Sequence, residues 1–248
     1  MDALISFLAF PLNLIFAILW LAGCVMLYSW ARKSAIVRFL LSPAASVSAI
    51  GLFLIACIWI GISGDREFTS SAIFVVILFY LQTVLLMVIL RGWKGRVRFT
   101  LLHCGLLLAL GAAFWGAPDS ETFRVKAGKG VVIREVYRID GTRDWLSYDV
   151  ELVDLKPVKS GDGQPEAVEA ELVVDGQRAS VSVNRPYPVS LAEDIYITGY
   201  EAGAGGDSTY CVLQIVREPW KYFALAGIIM LMAGAMLLFL KGPEKRCR

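Results

Sequence analysis

A single histidine, His103, occurs in the 248 residues, and the five cysteines are nowhere spaced as a CxxC pair. One imidazole cannot build a His-rich metal site, and covalent c-type haem attachment needs a CxxCH that is missing. Cys24, Cys57 and Cys104 fall in apolar runs, Cys247 stands near the carboxyl end, and only Cys211 lies in the polar part of the chain. Thiol–disulfide exchange within the chain is therefore excluded. Charge is scarce as well, at 19% of residues, against about 25% in ordinary globular proteins. Apolar residues make up 57%. This composition excludes a disordered chain, a coiled coil and an ordinary cytosolic globule. No segment carries a concentrated basic surface, so nucleic acid is excluded as a partner.

The apolar excess is gathered into five runs: Leu4–Trp30, Phe39–Ile62, Ala72–Leu90, Phe99–Ala117 and Tyr222–Leu240. None contains Asp, Glu, Lys or Arg. About 20 apolar residues suffice to cross a bilayer, and in a medium without water a single span must satisfy its backbone as a helix. The sequence thus predicts an integral membrane α-helical protein of five spans. Pro11 and Pro43 either kink the first two spans or mark their ends. The start Met-Asp-Ala-Leu has no basic segment, and no cleaved signal peptide is expected.

Positive charge collects in alternate connectors. Arg32, Lys33 and Arg38 follow the first run, Arg91, Lys94, Arg96 and Arg98 follow the third, and Lys241, Lys245, Arg246 and Arg248 end the chain. The intervening connector, with Asp65, Arg66 and Glu67, is net negative. Five crossings put every basic cluster on the cytoplasmic side. Residues 1–117 then form a four-helix membrane region, residues 118–218 an extracytoplasmic domain, residues 219–241 the last span, and residues 242–248 a cytoplasmic basic tail. Trp59, Trp115 and Trp220 are expected at the outer interface, and Trp30 and Trp93 at the inner one.

The outside domain differs from the rest in charge, with 17 Asp and Glu against 11 Lys and Arg over residues 118–217, a net of −6. Apolar and polar residues alternate in Val131–Ile139, Tyr148–Leu155 and Arg178–Val183, with further apolar runs at Val168–Val174 and Tyr210–Val216. Turn signals stand between them at Asp140-Gly141, Ser160–Gly163 and Asp175-Gly176, the last a hairpin signal. About six strands in a small sandwich or barrel-like sheet are expected, inserted before the last span. The glycine-rich stretch Ala202–Asp207 reads as a loop, and no GK[ST] follows it to bind phosphate.

His103 is five residues past Arg98, which puts it about 7 Å into the bilayer from the cytoplasmic face at 1.5 Å per residue. An ionisable group there needs a partner and often marks function. Packing against a carbonyl, Gln82 or Asn13 is the plain alternative. Proton-coupled transport is disfavoured, because the spans offer no carboxylate for a relay.

The stretch Arg98-Phe-Thr-Leu-Leu-His103-Cys-Gly-Leu-Leu-Leu, followed by Trp115-Gly116 and Val125-Lys-Ala-Gly128, resembles the ResB (Ccs) family of cytochrome c biogenesis proteins. The resemblance extends to Asn184-Arg-Pro186, to Ile195-Tyr196-Ile-Thr-Gly-Tyr200, and to Tyr210-Cys-Val-Leu-Gln-Ile-Val-Arg-Glu-Pro219-Trp220. It includes Gly227 and Gly234 of the last span, and covers about half the chain. An outside domain of about 100 residues makes this similar to a compact member; many members of the family have three spans before that domain, and the first of the four here lies outside the resemblance. The family likeness implies a complex with a CcsA/ResC-type membrane protein that moves haem b across the bacterial inner membrane and joins it to CxxCH thiols of apocytochrome c. It implies His103 as an axial haem ligand, with the opposite ligand from the partner. Asn184–Pro186 also reads simply as a turn that ends a strand. A membrane-anchored sensor or structural module without cofactor is the competing expectation.

Charge asymmetry generates a direct test of orientation. A reporter active only outside the cell should be active when fused after Asp162 and silent when fused after Arg248. The reverse pattern would overturn the five-span topology.

Overall fold

The computed structural model describes residues 10–64, 68–69, 71–94, 96–159, 165–200 and 210–241. The turn signal Ser160–Gly163, the loop Ala202–Asp207, the connector Asp65–Glu67, and Lys245, Arg246, Cys247 and Arg248 lie outside these residues. Two compact units divide the chain, one helical and the other formed by Asp119–Pro219.

In the helical unit, α1 (Leu12–Trp30), α3 (Pro43–Ser63), α4 (Ala72–Gly92), α5 (Val97–Gly116) and α6 (Lys221–Lys241) are long and apolar enough to cross a membrane. A short helix, α2 (Ala35–Leu40), precedes α3. Both prolines stand at helix starts rather than within spans: Pro11 at the cap of α1 and Pro43 in the first turn of α3. Proline is tolerated there because the first amides of a helix have no intrahelical partner anyway. The second apolar run is accordingly broken before Pro43, where the expected span began at Phe39. Serines cap α2, α3 and α4, with the hydroxyls of Ser34, Ser42 and Ser71 accepting from Val37, Ala45 and Phe74 amides at 3.2–3.3 Å. Gly64 ends α3 in the left-handed conformation at φ 66°. Outward faces are apolar, with Val47, Ile62, Ile73, Val76 and Phe239 exposed, a surface that a bilayer could cover.

Antiparallel α5 and α6 approach through glycine. A Cβ on Gly227 would lie 2.6 Å from the Ala109 nitrogen and 2.8 Å from the Gly105 carbonyl oxygen. One on Gly105 would lie 2.8 Å from the Gly227 oxygen, and one on Gly116 would strike the Trp220 ring at 2.7 Å. Small residues let two backbones come this close where no water drives helices together. Trp220 is buried, packed against Gly116.

The Asp119–Pro219 unit holds eight strands, β1 (Glu121–Gly128), β2 (Val132–Arg138), β3 (Arg143–Lys159), β4 (Pro165–Val174), β5 (Gln177–Ser182), β6 (Tyr187–Pro188), β7 (Glu193–Tyr200) and β8 (Tyr210–Arg217). They form one antiparallel sheet in the order β5-β4-β3-β2-β1-β8-β7-β6. Two strands exceed expectation, β1 and β6, and β3 runs far longer than the Tyr148–Leu155 alternation that announced it. β7 was legible only in the Ile195–Tyr200 resemblance. The two edge strands are consecutive in the chain. Five residue steps from Ser182 to Tyr187 reach at most about 18 Å, whereas a flat eight-strand sheet would hold its edges about 34 Å apart. The sheet must therefore curl on itself, the barrel-like form of the two expected. Its core is continuous and includes Phe123, Val136, Leu152, Leu172, Ile195 and Leu213. Asp175 and Gly176 both have positive φ, 49° and 78°, in the tight β4–β5 hairpin their sequence announced.

Glycine-mediated contact predicts an asymmetry between substitutions. Gly227→Leu should lower the stability of the full-length protein by about 2–3 kcal/mol through overpacking against backbone that cannot yield. Gly51→Ala, with nothing within 4 Å of the added carbon, should be neutral or stabilising. Thermal unfolding in detergent, followed by tryptophan fluorescence, compares the two; equal effects would refute the close approach.

Candidate functional site

His103 lies in the second turn of α5, half-buried. Its Nδ1 stands 2.9 Å from the carbonyl oxygen of Phe99, one turn earlier. A carbonyl only accepts, so Nδ1 carries the proton, and in the neutral ring the lone pair is on Nε2. The imidazole is also stacked on the Phe99 ring, with centroids 3.9 Å apart and planes 27° from parallel. Phe99 is held in turn: its ring covers Gly92 of α4, where a Cβ would come within 2.7 Å of it, and the Arg96 guanidinium lies 4.5 Å from its centroid. Arg96, Phe99 and His103 are spaced i, i+3, i+7 and so share one face of α5. Sequence reading singled out the histidine and missed its aromatic support, although an aromatic four residues before a histidine in a helix is a readable signal.

Of the partners considered for His103, only the neighbouring carbonyl is used. Asn13 donates instead to the Trp115 carbonyl oxygen at 2.6 Å. Gln82 is 1% exposed, and neither its oxygen nor its nitrogen has a hydrogen-bond partner among the described residues. It faces α5 at Gly111, eight residues and so about 12 Å along the helix from His103. No hydrogen bond joins Asn13, Gln82 and His103 to one another among the described residues.

The second polar centre is a chain of paired polar groups across β7, β8, β1, β2 and β3. Glu193 accepts from the Tyr148 hydroxyl and from Arg217 Nε at 3.0 Å. Arg217 Nη1 donates to Glu121 at 3.0 Å, Glu121 accepts from Arg138 at 2.7 Å, and Arg138 reaches Asp144 at 2.6 Å. Both guanidiniums lie 5.4 Å from the centroid of buried Phe123. Burial, reinforced by Glu193, pushes the Tyr148 hydroxyl far above its usual range. Arg217 is raised too: burial works against its charge, but Glu193 and Glu121 outweigh it. Each of these side chains has a partner, and the arrangement reads as a brace across the five strands. Cys211, the one cysteine of this unit, is fully buried, and burial pushes its thiol up to about 11. Such a thiol is inert near neutral pH. Asn184, with φ 62°, sits in a turn where Ser182 and Arg185 exchange backbone hydrogen bonds of 2.9 and 3.2 Å. The Asn184–Pro186 motif is therefore accounted for by its turn. No group of three or more His, Cys, Asp or Glu among the described residues could hold a metal ion.

No protein-family model matches the chain, and no curated protein matches it.

Ion pairing in the sheet makes its stability depend on acid. Arg138 holds Asp144 below its ordinary 3.8, Arg134 does the same for Asp149, and Lys129 for Asp154. A carboxylate depressed on folding stabilises the fold fully above the unfolded value and ceases to do so as pH falls through the folded one. The melting temperature of the β-unit in the full-length protein should hold steady down to about pH 4 and then fall. Arg138→Gln should flatten that fall. Circular dichroism from pH 7 to 2.5 checks both, and a curve unchanged by the substitution would refute the assignment.

Proposed function

We propose that this chain is a ResB-like accessory subunit of a ResB–CcsA cytochrome c synthase. It is read as lying in the bacterial inner membrane, with the amino terminus and residues 118–218 outside and the carboxyl terminus in the cytoplasm. Its cargo is haem b, and its partners are a CcsA/ResC-type membrane protein and apocytochrome c. The observation that carries the reading is the tautomer of His103. With Nδ1–H fixed on the Phe99 carbonyl, Nε2 is the free nitrogen, which is how a histidine is prepared for a metal. A half-buried ring on a helix surface is also accessible to a second protein.

The fit is that of one axial ligand and no more. Neutral imidazole is a good ligand to haem iron, and the chain has no second histidine, so the opposite ligand belongs to the partner. Haem b, when bound, supplies the iron and the vinyl groups that are joined to the cytochrome thiols. This chain's share is to hold and orient the cargo at His103, while the β-unit docks the apocytochrome or caps the partner's haem site. The inert Cys211 thiol assigns thiol chemistry to other proteins. One observation favours the competing reading of a cofactor-free membrane anchor: the stack on Phe99 and the bond to its carbonyl also describe a histidine used for packing.

His103→Ala separates the two. A lost ligand should lower cytochrome c maturation roughly tenfold or more at unchanged protein level, with partial rescue by added imidazole. A lost packing group should cost about 1–3 kcal/mol and appear as reduced abundance that imidazole does not restore. Protein level, haem spectrum and maturation are measured together. Normal maturation at normal abundance would end the ligand role.

A further inference from the structure

At the end of the helical unit where α1 and α4 finish and α3 and α5 begin, there is an open pocket of about 560 Å³. Arg32, Arg91, Lys94 and Arg96 line it, and no carboxylate does among the described residues. The sequence offers none within these helices: no Asp or Glu occurs between residues 3 and 64, or between 68 and 118. Arg91 donates to the Leu41 carbonyl oxygen at 2.8 Å, while Arg32 lies over the Tyr28 ring at 5.0 Å. None of the four is in an ion pair among the described residues, and Arg96 Nε is buried there without a hydrogen-bond partner. The first turn of α3, at Ser42 and Pro43, opens into the same pocket and adds the positive end of a helix dipole. Four like charges converge with nothing to balance them.

What balances them has to be anionic, and the remaining walls narrow its chemistry. Leu41, Val88, Leu90 and Phe99 also line the pocket, and α3 and α4 lead away from it with exposed apolar side chains such as Val47 and Val76. A small inorganic anion gains nothing from such walls, whereas an acyl chain does. A zwitterionic headgroup would bring an ammonium among four cations with no carboxylate to meet it. We propose that this pocket binds the phosphate headgroup of an anionic phospholipid, with its chains laid along the apolar faces of α3 and α4. Basic pockets between helix ends on the cytoplasmic side are suited to such headgroups. The pocket shares Phe99 and Arg96 with the surroundings of His103, but the proposal does not require haem to bind.

The test uses full-length protein in detergent, titrated with phosphatidylglycerol or cardiolipin, with phosphatidylcholine, and with inorganic phosphate. Melting temperature and native mass spectrometry are read together. The two anionic lipids should raise the melting temperature and stay bound; phosphatidylcholine and phosphate should do neither. Lys94→Gln/Arg96→Gln should weaken anionic-lipid binding about tenfold or more, because neither side chain hydrogen-bonds to the protein among the described residues. Lys33→Gln/Arg38→Gln, basic residues outside the pocket, should leave it unchanged. If the first pair fails to fold, exposed Arg32→Gln is read in its place, with a smaller loss expected. Equal lipid affinity in pocket and control variants would overturn the proposal in favour of diffuse surface charge. Equal stabilisation by inorganic phosphate would overturn the lipid assignment.

Discussion

Backbone-to-backbone contact between α5 and α6 is the constraint from which the rest of the architecture follows. Gly105 and Gly227 leave no room for a side chain between the helices, so the two can run antiparallel in only one register. That register sets Gly116 against Trp220 and so brings together the two points where the helical unit releases and recovers the chain. The inserted unit meets the same demand by its own means. Its first and last strands are neighbours, Glu121 opposite Arg217, and the bond between those two side chains fastens the ends. Each unit closes its own side of the junction, one by the absence of side chains and the other by charge.

Charge is otherwise sorted rather than dispersed. In the sheet nearly every cation near a carboxylate is paired with it, and the pairs are exposed enough that each adds little alone. Among the helices the cations are gathered at one end and acids are missing from the spans. Such sorting suits helices long and apolar enough to cross a membrane, since in a bilayer only the helix ends would reach water or lipid phosphate. It also explains why His103 takes a backbone carbonyl as its partner: no acidic side chain exists within reach in the sequence. Bonding to the carbonyl four residues back leaves one ring nitrogen without a protein partner, and function can draw on that nitrogen.

Periodicity made the helices and most strands legible before any coordinates, because burial in lipid or in a sheet writes long, repeated patterns. The Asp175-Gly176 hairpin was readable because two consecutive positive φ values demand such residues. β1 escaped because small Ala127 and Gly128 blur its alternation, and β3 was cut short by Pro157 and by a bulge near Leu152 that breaks the period. Pro43 was visible, but whether it kinks or begins a helix depends on Ser42 capping the turn, a local hydrogen bond rather than a pattern. At the candidate site, His103 stood out by rarity. Its support by Phe99, Gly92 and Arg96 did not, since it joins two helices through shape. The basic pocket was written as connector charge and read only as orientation, because convergence in space is not a property of the linear chain.

The short link from β5 to β6 has a consequence for how other chains can engage the sheet. Open antiparallel sheets expose rows of unpaired amides that invite another strand to add itself, which serves recognition but also drives aggregation. Here one border is a strand of only two residues, and one of those is Pro188, which has no amide hydrogen to offer. The other border turns into it within four residues at Asn184 and Pro186. A protein that docks on this unit along the β6 border is thereby directed away from strand addition and towards side-chain contact, where specificity rests on surface chemistry rather than on backbone pairing.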